Sequence, residues 1–366
     1  MNTAKLVRSC VKKFKPYVPG KPIEELKREL KLKKTVKLAS NENPLGPSGR
    51  AVTAMKKAAS AVFLYPDGSS RELREALAKK HRVSVNQVIL GSGTDEIIEI
   101  IGKTFFKQGD NIVVSKHAFI RYKMAGDLMQ IKVKEVPMKN YTHDVERMRK
   151  AIDSKTVAVF IANPNNPTGT YIADKELLNF ITHVPRRVLI VLDEAYFEYA
   201  SIYADYPNGI SLFLRGFSNI ITLRTFSKIY SLAGARIGYG IGDRAVIDPM
   251  DRIRPPFNIT RLSQAAAIAS LRSNELVTQS LAMVSKGKQA LYRELDKRLL
   301  PYVPSAGNFV LIKVPGSGAA IFKKLLKKGV IIRAMDEYEL PDFIRVTIGK
   351  PDEMRFFIRA LDAVMG

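Results

Sequence analysis

Residues 187–196 read RVLIVLDEAY, an apolar run that ends in two consecutive carboxylates. It is one of five short apolar runs of strand type, and segments with helical periodicity separate most of them. The runs are apolar throughout, as expected of strands that are buried on both faces of a parallel sheet. Strands that alternate with helices predict an α/β fold built from βαβ units. The runs are QVIL (87–90), NIVVS (111–115), TVAVFIA (156–162), RVLIVL (187–192) and IITLR (220–224).

A smaller α+β unit follows this region. Its pattern predicts a long helix from about Ser263 towards Leu299, with Ser273 as the place where it would break, and then three short strand-like runs: FVLIKV (309–314), VIIR (330–333) and FIRVTIG (343–349). A chain of this length exceeds one ordinary core, so we expect two packed domains. The predicted division is an N-terminal arm at 1–37 that joins the small domain, a large domain at 38–256 and a small domain at 257–366.

Composition excludes several classes of protein. Of the 366 residues 46% are hydrophobic, and none of the apolar runs reaches the roughly 18 residues that a transmembrane helix requires. The basic N-terminus lacks the apolar segment of a secretory signal, which favours a cytoplasmic location. A single cysteine, Cys10, excludes a disulfide within the chain, and the four histidines fall in no ligand pattern, so we predict no metal site.

The formal net charge is +24, and residues 1–37 carry 12 Lys and Arg against three Glu. Such an excess is typical of proteins that bind nucleic acid, anionic membranes or anionic small molecules, and it also arises from a general bias in composition. No basic motif interleaved with aromatic residues accompanies it. We therefore expect neither nucleic acid nor membrane as a partner and keep a nucleic-acid-binding protein as a remote alternative. Small anionic substrates and a bias in composition both stay open as explanations of the charge.

Unusual polar residues follow the predicted strands, at the edge where ligands of open parallel sheets bind. Each motif also has a simpler interpretation: an ordinary turn, a rigid connector, a structural ion pair or a solvated lysine. Together they supply a lysine that can form an imine, a carboxylate for a pyridine nitrogen, and donors for a phenolate and a phosphate, which is the protein's share of pyridoxal phosphate chemistry. The motifs are GSGTD (91–95), NPNNPTG (163–169), DEAY (193–196) and TFSK (225–228) with SLAGARIGYG (231–240).

These motifs, in this order, resemble those of the fold-type-I, class-II pyridoxal-phosphate-dependent aminotransferases. Further stretches resemble the histidinol-phosphate aminotransferase branch: PYVPGKPIEE (16–25), KLASNENPLGPS (37–48), YPDGSSRELREALA (65–78), GSGTDEII (91–98) and RPPFNIT (254–260). The resemblance covers the chain from about residue 16 to its end. It implies a large domain with a mostly parallel seven-stranded sheet between helices, a smaller α+β domain, and a homodimer with shared active sites.

The resemblance also implies a role for each matching residue. Lys228 would carry the cofactor and move a proton, Asp193 would hold the pyridinium, and Tyr196 and Asn166 would bind the ring hydroxyl. The implied phosphate site consists of Ser92 or Gly93, Thr94, Thr225, Ser227 and Arg236, with Tyr65 reaching across from the second subunit. Phe119 would stack on the ring where the family often has tyrosine, and Ser231 stands where it usually has glycine. The implied substrate residues are Tyr17, Asn41, Asn166, Arg333 and Arg345.

The reaction that this resemblance implies is ping-pong transfer of an amino group from L-histidinol phosphate to 2-oxoglutarate in histidine biosynthesis, giving imidazole-acetol phosphate and L-glutamate. An aromatic amino acid aminotransferase on the same scaffold is the alternative. That enzyme would not need Arg333 and Tyr17 to bind a phosphate, so these two residues distinguish the hypotheses.

Overall fold

The structure, a computed structural model, describes residues 3–14 and 34–365. Tyr17 lies outside these ranges, and so does most of the predicted arm, including the matching stretch at 16–25.

A seven-stranded sheet forms the centre of the large domain, as the sequence predicts. Its order is β2-β8-β7-β6-β5-β3-β4, and all neighbours are parallel except β8, which is antiparallel to both β2 and β7. In chain order the strands of the protein are β1 Val36–Lys37, β2 Val88–Gly91, β3 Asn111–Ser115, β4 Lys132–Val136, β5 Thr156–Ala162, β6 Leu189–Asp193, β7 Ile220–Thr225, β8 Gly238–Gly242, β9 Tyr302–Val303, β10 Phe309–Lys313, β11 Val330–Ile331, β12 Arg333–Ala334 and β13 Phe343–Thr347.

Helices cover both faces of this sheet and complete the small domain. Three clusters of buried apolar side chains lie between the helices and the strands. The largest of the three extends from the large domain into the small one. The helices are α1 Gly49–Ala59, α2 Arg71–His81, α3 Thr94–Phe105, α4 Ile120–Leu128, α5 Val145–Ala151, α6 Asp174–His183, α7 Phe197–Ala200, α8 Gly209–Leu214, α9 Arg244–Ile253, α10 Arg261–Ser270, α11 Asn274–Lys297, α12 Gly318–Lys327 and α13 Pro351–Met365. The 3₁₀ turns are Thr3–Leu6, Val11–Lys13, Val85–Gln87, Ala233–Ala235 and Asp336–Tyr338.

The small domain corrects one prediction and confirms another. VIIR is not one strand: β11 pairs with β1 in a two-stranded sheet, whereas β12 joins the four-stranded sheet β12-β13-β10-β9. The two residues before Ile332 and the two after it thus belong to different sheets. An apolar pattern cannot predict this division. The long helix is interrupted between Ser270 and Asn274, as the sequence suggests at Ser273.

The described parts of the arm touch both domains. Arg8 donates to the carbonyl of Leu128 in α4 at 2.9 Å, whereas β1 pairs with β11 of the small domain. The domain boundaries stay a prediction. Among the described residues no helix has the length and apolar character needed to cross a membrane.

A buried ion pair connects β7 with the residue that follows β6. The guanidinium of Arg224 donates to the carboxylate of Glu194 at 2.7 Å, and the two side chains are 5% and 1% exposed. Asn208 and the backbone N–H of Gly209 complete the site. Removing one partner of such a pair leaves an uncompensated buried charge.

We expect Arg224→Met to lower the free energy of unfolding by about 3–5 kcal/mol, because Glu194 then stays buried without its cation. Chemical denaturation measures this change. Arg149→Met is the control, because it breaks the exposed pair with Glu146 and should leave the denaturation midpoint close to that of the wild type. Equal midpoints for the two variants would contradict the assignment.

Candidate active site

A cavity of about 470 Å³ opens at the carboxyl ends of the central strands. Ten of the residues that the sequence predicts line it together, so the separate motifs form one site. They are Gly93, Thr94, Phe119, Asn166, Asp193, Tyr196, Thr225, Ser227, Lys228 and Arg236. The wall also contains Ser40, Glu42, Asp95 and Tyr122, to which the sequence analysis assigned no role.

Lys228 projects its amine into this cavity from the loop that follows β7. Its Nζ donates to the carbonyl of Ser40 at 3.1 Å and lies 5.8 Å from the centre of the Tyr196 ring. Desolvation, aided by the positive charge of Arg345, lowers the pKa of Lys228 to about 8. A neutral amine is therefore accessible close to physiological pH, as nucleophilic chemistry requires.

Asp193 ends β6 and is 4% exposed. Its Oδ2 accepts a hydrogen bond of 2.7 Å from the Tyr122 hydroxyl, and its Oδ1 accepts one of 3.1 Å from the backbone N–H of Ala195. Burial raises the pKa of Asp193 to about 6, against the lowering effect of these donors. The carboxylate is thus held in place, and no lysine or arginine of the described residues forms an ion pair with it, which makes it suited to a positively charged ligand group.

Tyr122 is the residue of this site that the sequence reasoning missed. It lies three positions after Phe119 on α4 and stacks on Phe160 with ring centroids 5.0 Å apart. The helical spacing of an aromatic residue predicts only that it packs in the core. Nothing in the sequence indicated that its hydroxyl would face Asp193.

A polar wall lies where the two domains meet, and it consists of Tyr196, Asn41, Asn166 and Arg345. The amide of Asn41 donates to the Tyr196 hydroxyl at 2.8 Å, and burial raises the pKa of Tyr196 to about 12, so this hydroxyl is protonated at neutral pH. Arg345 donates one nitrogen to the Asn166 side-chain oxygen and another to the Ala39 carbonyl. The predicted substrate residues Asn41 and Arg345 therefore touch the predicted cofactor residues directly.

The loop between β2 and α3 forms a close-fitting cradle with Arg236. Gly93 has φ +80°, and a Cβ there would lie 2.6 Å from Nη2 of Arg236. A Cβ on Gly238 would lie 2.7 Å from the backbone nitrogen of Thr94. Glycine is needed at both positions because backbone and guanidinium approach so closely. The start of α3 also directs free N–H groups at this point, which favours an anion.

Three residues lie near the cradle, and each has a different contact or backbone conformation. The Thr225 hydroxyl accepts from the backbone N–H of Ser227 at 3.0 Å, which shapes the loop before Lys228. Ser92 does not line the cavity, and its backbone N–H donates to the carboxylate of Glu96 at 2.6 Å. Ser231 has φ +55°, the left-handed conformation that explains why glycine is usual there.

Arg333 lies outside the cavity wall but directly beside Arg345. The two residues are Cα partners in the antiparallel pair β12–β13, so their side chains leave the same face of the sheet. Arg333 donates to Glu337 at 2.6 Å and its side chain is 19% exposed. Like charges directly opposite one another destabilise a sheet, so this pair favours a site for an anion.

Tyr65 does not line the cavity of its own chain. It is 78% exposed and stacks on Phe257 with ring centroids 4.7 Å apart. Around it lies an exposed apolar surface, here called the Phe63 patch, which consists of Val62, Phe63, Leu64, Tyr65 and Phe257. The 254–260 motif next to it is structural, because Arg254 holds Asp251, Asn258 and the carbonyl of Gly68.

The residues of the cavity fit pyridoxal phosphate. Asp193 is a buried carboxylate suited to a pyridinium, Lys228 supplies the amine, and the Gly93–Arg236 cradle suits a phosphate. Among the described residues no group of three His, Cys, Asp or Glu side chains is placed to hold a metal ion.

Comparison with known proteins gives a consistent result. Residues 33–361 match the family described as aminotransferase class I and II. The chain is 44% identical over 360 residues to the histidinol-phosphate aminotransferase of Caldicellulosiruptor saccharolyticus, covering 98% of this chain and 100% of that protein. It is 45% identical over 358 residues to the enzyme of the same name from Moorella thermoacetica, covering 98% and 92%.

Among solved structures, the fold is similar to that of histidinol-phosphate aminotransferase from Sinorhizobium meliloti in complex with pyridoxal-5'-phosphate. The TM-score is 0.89 at 28% sequence identity, and the similarity covers 98% of this chain and 97% of that one.

The two shifted pKa values predict how the cofactor-free protein takes up pyridoxal phosphate. The Asp193 carboxylate forms as pH rises through about 6, and the neutral Lys228 amine forms as pH rises through about 8. The association rate, followed by stopped-flow absorbance, should therefore rise between these values. The hydrogen bond from Tyr122 lowers the pKa of Asp193, so its removal in Tyr122→Phe should raise that pKa. The rise of the association rate that reflects ionisation of Asp193 should then occur at higher pH.

Tyr199→Phe is the matched control, since Tyr199 is also buried but makes no hydrogen bond to Asp193 in the structure. A profile in Tyr122→Phe that coincides with that of the control would refute the role of the Tyr122 hydroxyl.

Proposed function

The chain belongs to the class I and II aminotransferases, and we propose that within this family it is the pyridoxal-phosphate-dependent transaminase of histidine biosynthesis. Its reaction transfers an amino group from L-histidinol phosphate to 2-oxoglutarate and gives imidazole-acetol phosphate and L-glutamate. The cofactor serves both half-reactions in turn, so the mechanism is ping-pong. The cytoplasm is the proposed location, in keeping with a single cysteine.

The observation that carries the choice of substrate is the pair Arg333 and Arg345 on one face of β12–β13. Guanidinium groups bind carboxylate and phosphate through two parallel hydrogen bonds. Arg345 already reaches Asn166 in the cavity wall, so an anion held by these arginines is next to the cofactor site. A phosphorylated amine matches this arrangement better than phenylalanine, whose side chain is uncharged.

The residues of this chain have distinct tasks in the proposed reaction. Bound pyridoxal phosphate supplies a ring that accepts electrons. Lys228 would hold it through Nζ and move a proton at that atom, for which its lowered pKa is suitable. Asp193 would stabilise a positive charge on the ring nitrogen, and Tyr122 orients Asp193. Tyr196 and Asn166 would donate to the ring oxygen.

The phosphate group of the cofactor would be bound by the Gly93–Arg236 cradle together with Thr94, Thr225 and Ser227. Phe119 would pack on the ring face. Ser92 has a smaller part in this proposal than the sequence implied, because Glu96 accepts its backbone N–H. Tyr17, outside the described residues, stays a predicted substrate contact.

The substrate is tested by Arg333→Ala, assayed with L-histidinol phosphate and with L-phenylalanine. We expect kcat/KM for the phosphorylated substrate to fall about 10- to 100-fold, the effect of losing a hydrogen bond to a charged group. The value for phenylalanine should change little. Arg147→Ala is the control, since Arg147 is an exposed arginine on α5, paired only with Asp144.

Equal losses for the two substrates would contradict the assignment of Arg333. Wild-type protein that converts phenylalanine but not histidinol phosphate would instead identify the aromatic enzyme. In either case Lys228→Ala should remove the visible absorption band of the holoenzyme.

The Phe63 patch further supports a homodimer with shared active sites. Phe63 and Tyr65 are 81% and 78% exposed and belong to one continuous apolar surface, which is typical of an interaction site. Tyr65 is not part of the cavity wall of its own chain, so the proposed contact with a cofactor phosphate is assigned to a second subunit.

Complementation tests this shared site. Tyr65→Ala and Lys228→Ala, when coexpressed, should regain activity that exceeds the mean of the parents, because a hybrid dimer contains one site with both residues intact. Coexpressed Arg236→Ala and Lys228→Ala should regain none, since Arg236 and Lys228 belong to the same cavity. No recovery in the first pair, with dimers present by sedimentation, would contradict the role of Tyr65.

A further inference from the structure

A short segment of the chain, residues 39–42, runs along the side of the cavity that is proposed to bind the substrate. The carbonyl of Ala39 accepts a hydrogen bond of 2.7 Å from Arg345. The carbonyl of the next residue, Ser40, accepts one of 3.1 Å from Nζ of Lys228. The segment therefore lies against both the arginine proposed for the substrate anion and the amine proposed to carry the cofactor.

Glu42 ends this segment and lines the same cavity. Asn41, which precedes it, has φ +55°, and its amide donates to the Tyr196 hydroxyl at 2.8 Å. The side chain of Glu42 is 42% exposed, so it lies where the wall meets solvent. Three residues span at most about 11 Å, so Arg345, bound at Ala39, and Glu42 are close enough for one small substrate to contact both.

Among the described residues three carboxylates line the cavity, and two of them have another partner or task. Asp193 is buried and is proposed to meet the ring nitrogen of the cofactor. Asp95 forms an ion pair with Arg121 at 2.7 Å. Glu42 is the third. Its Oε1 accepts from Lys37 at 2.7 Å, but within residues 3–14 and 34–365 no hydrogen-bond donor reaches its Oε2, which leaves this oxygen for a ligand.

A carboxylate in this place does not suit the anionic part of the proposed substrates. Desolvation and the charge of Arg345 lower the pKa of Lys228, and the charge of Glu42 opposes this effect. A phosphate or carboxylate beside Glu42 would be repelled. Apart from its reacting amine, L-histidinol phosphate has one group that a carboxylate attracts. This group is the imidazole, which donates through N–H and becomes a cation as pH falls through about 6.5.

We propose that Glu42 binds the imidazole ring of L-histidinol phosphate and so selects an imidazole over a phenyl ring. The inference rests on the proposed function for the phosphate site at Arg333 and Arg345. With the phosphate at these arginines and the amino group at Lys228, the ring extends along residues 39–42 and donates an N–H to Glu42. This hydrogen bond is stronger for the protonated ring than for the neutral one, and a phenyl ring forms neither.

Lys37 has a part in this arrangement because the site must also accept 2-oxoglutarate. That substrate has a second carboxylate and no imidazole, so an uncompensated charge on Glu42 would repel it. The ion pair with Lys37 compensates this charge whenever the imidazole is absent. Both side chains of the pair are partly exposed, at 26% and 42%, so an exchange of partners costs little.

The test uses two phosphate esters that lack an amino group, 3-(imidazol-4-yl)propyl phosphate and 3-phenylpropyl phosphate. They resemble the substrate but cannot react, and isothermal titration calorimetry with the holoenzyme gives the dissociation constant of each. Glu42→Gln should weaken binding of the imidazole ligand about fivefold at pH 6 and about twofold at pH 8.5, since the ring is a cation only at the lower pH. The phenyl ligand should bind the variant no more weakly than the wild type.

Glu99→Gln is the matched control. Glu99 also pairs with a lysine, Lys103, at 2.7 Å, and its side chain is 36% exposed, but it does not line the cavity. Its substitution removes a carboxylate of the same kind at a distance from the proposed site. Both dissociation constants should therefore equal those of the wild type at both pH values.

Lys37→Met separates direct binding by Glu42 from a merely structural role of the ion pair. It breaks the same contact as Glu42→Gln but leaves the carboxylate in place. The imidazole ligand should therefore bind at least as tightly as in the wild type. The KM for 2-oxoglutarate should rise about threefold, because the charge of Glu42 is no longer compensated.

The proposal is overturned if Lys37→Met weakens binding of the imidazole ligand as much as Glu42→Gln does, because the ion pair would then be what matters. An effect of Glu42→Gln that is equal for the two ligands, or equal at the two pH values, also contradicts it. Wild-type holoenzyme that binds the imidazole ligand as predicted but does not turn over L-histidinol phosphate would refute the proposed function alone.

Discussion

Asp193 and Glu194 are consecutive buried carboxylates at the end of β6, and their side chains point in opposite directions. The cofactor site depends on the first carboxylate, and the contact between β6 and β7 depends on the second. Glu194 turns away from the cavity and is neutralised by Arg224 of the next strand at 2.7 Å. Asp193 turns into the cavity, where a tyrosine hydroxyl and a backbone N–H are its donors. One charge is satisfied within the protein, and the other is prepared for a ligand.

The active site forms where the two domains meet. The large domain supplies Lys228, Asp193 and the Gly93–Arg236 cradle, whereas the small domain supplies the arginines of β12 and β13. Two arginines opposite one another repel, and Glu337 offsets part of this cost through its ion pair with Arg333. A bound anion would offset the remainder, which is why the pair is the basis of the proposed substrate.

Much of the large domain was predictable because its strands are buried on both faces. The runs at 111–115 and 156–162 have the bounds that the sequence predicts. Two strands lacked such a signal for physical reasons. Lys132–Val136 is an edge strand in which charged residues alternate with valines. Gly238–Gly242 is rich in glycine, and its first glycine is required because Thr94 and Gly93 approach it closely. The motifs that follow the strands identified nine of the ten predicted residues of the cavity wall for the same reason, since all parallel strands end at one edge of a sheet. Phe119, the tenth, came from the family resemblance alone.

The sequence by itself determined the α/β class, the edge of the sheet at which ligands bind, and the residue types that hold a phosphorylated aldehyde. These depend on local patterns: apolar runs, glycines before helices, and a lysine with hydroxyl neighbours. Only the tertiary structure decided that Tyr122 faces Asp193, that VIIR divides between two sheets, and that Ser40 and Glu42 line the cavity of Lys228. Those contacts join positions far apart in the chain, and each side chain is an ordinary core or surface residue until packing brings its partner within hydrogen-bonding distance.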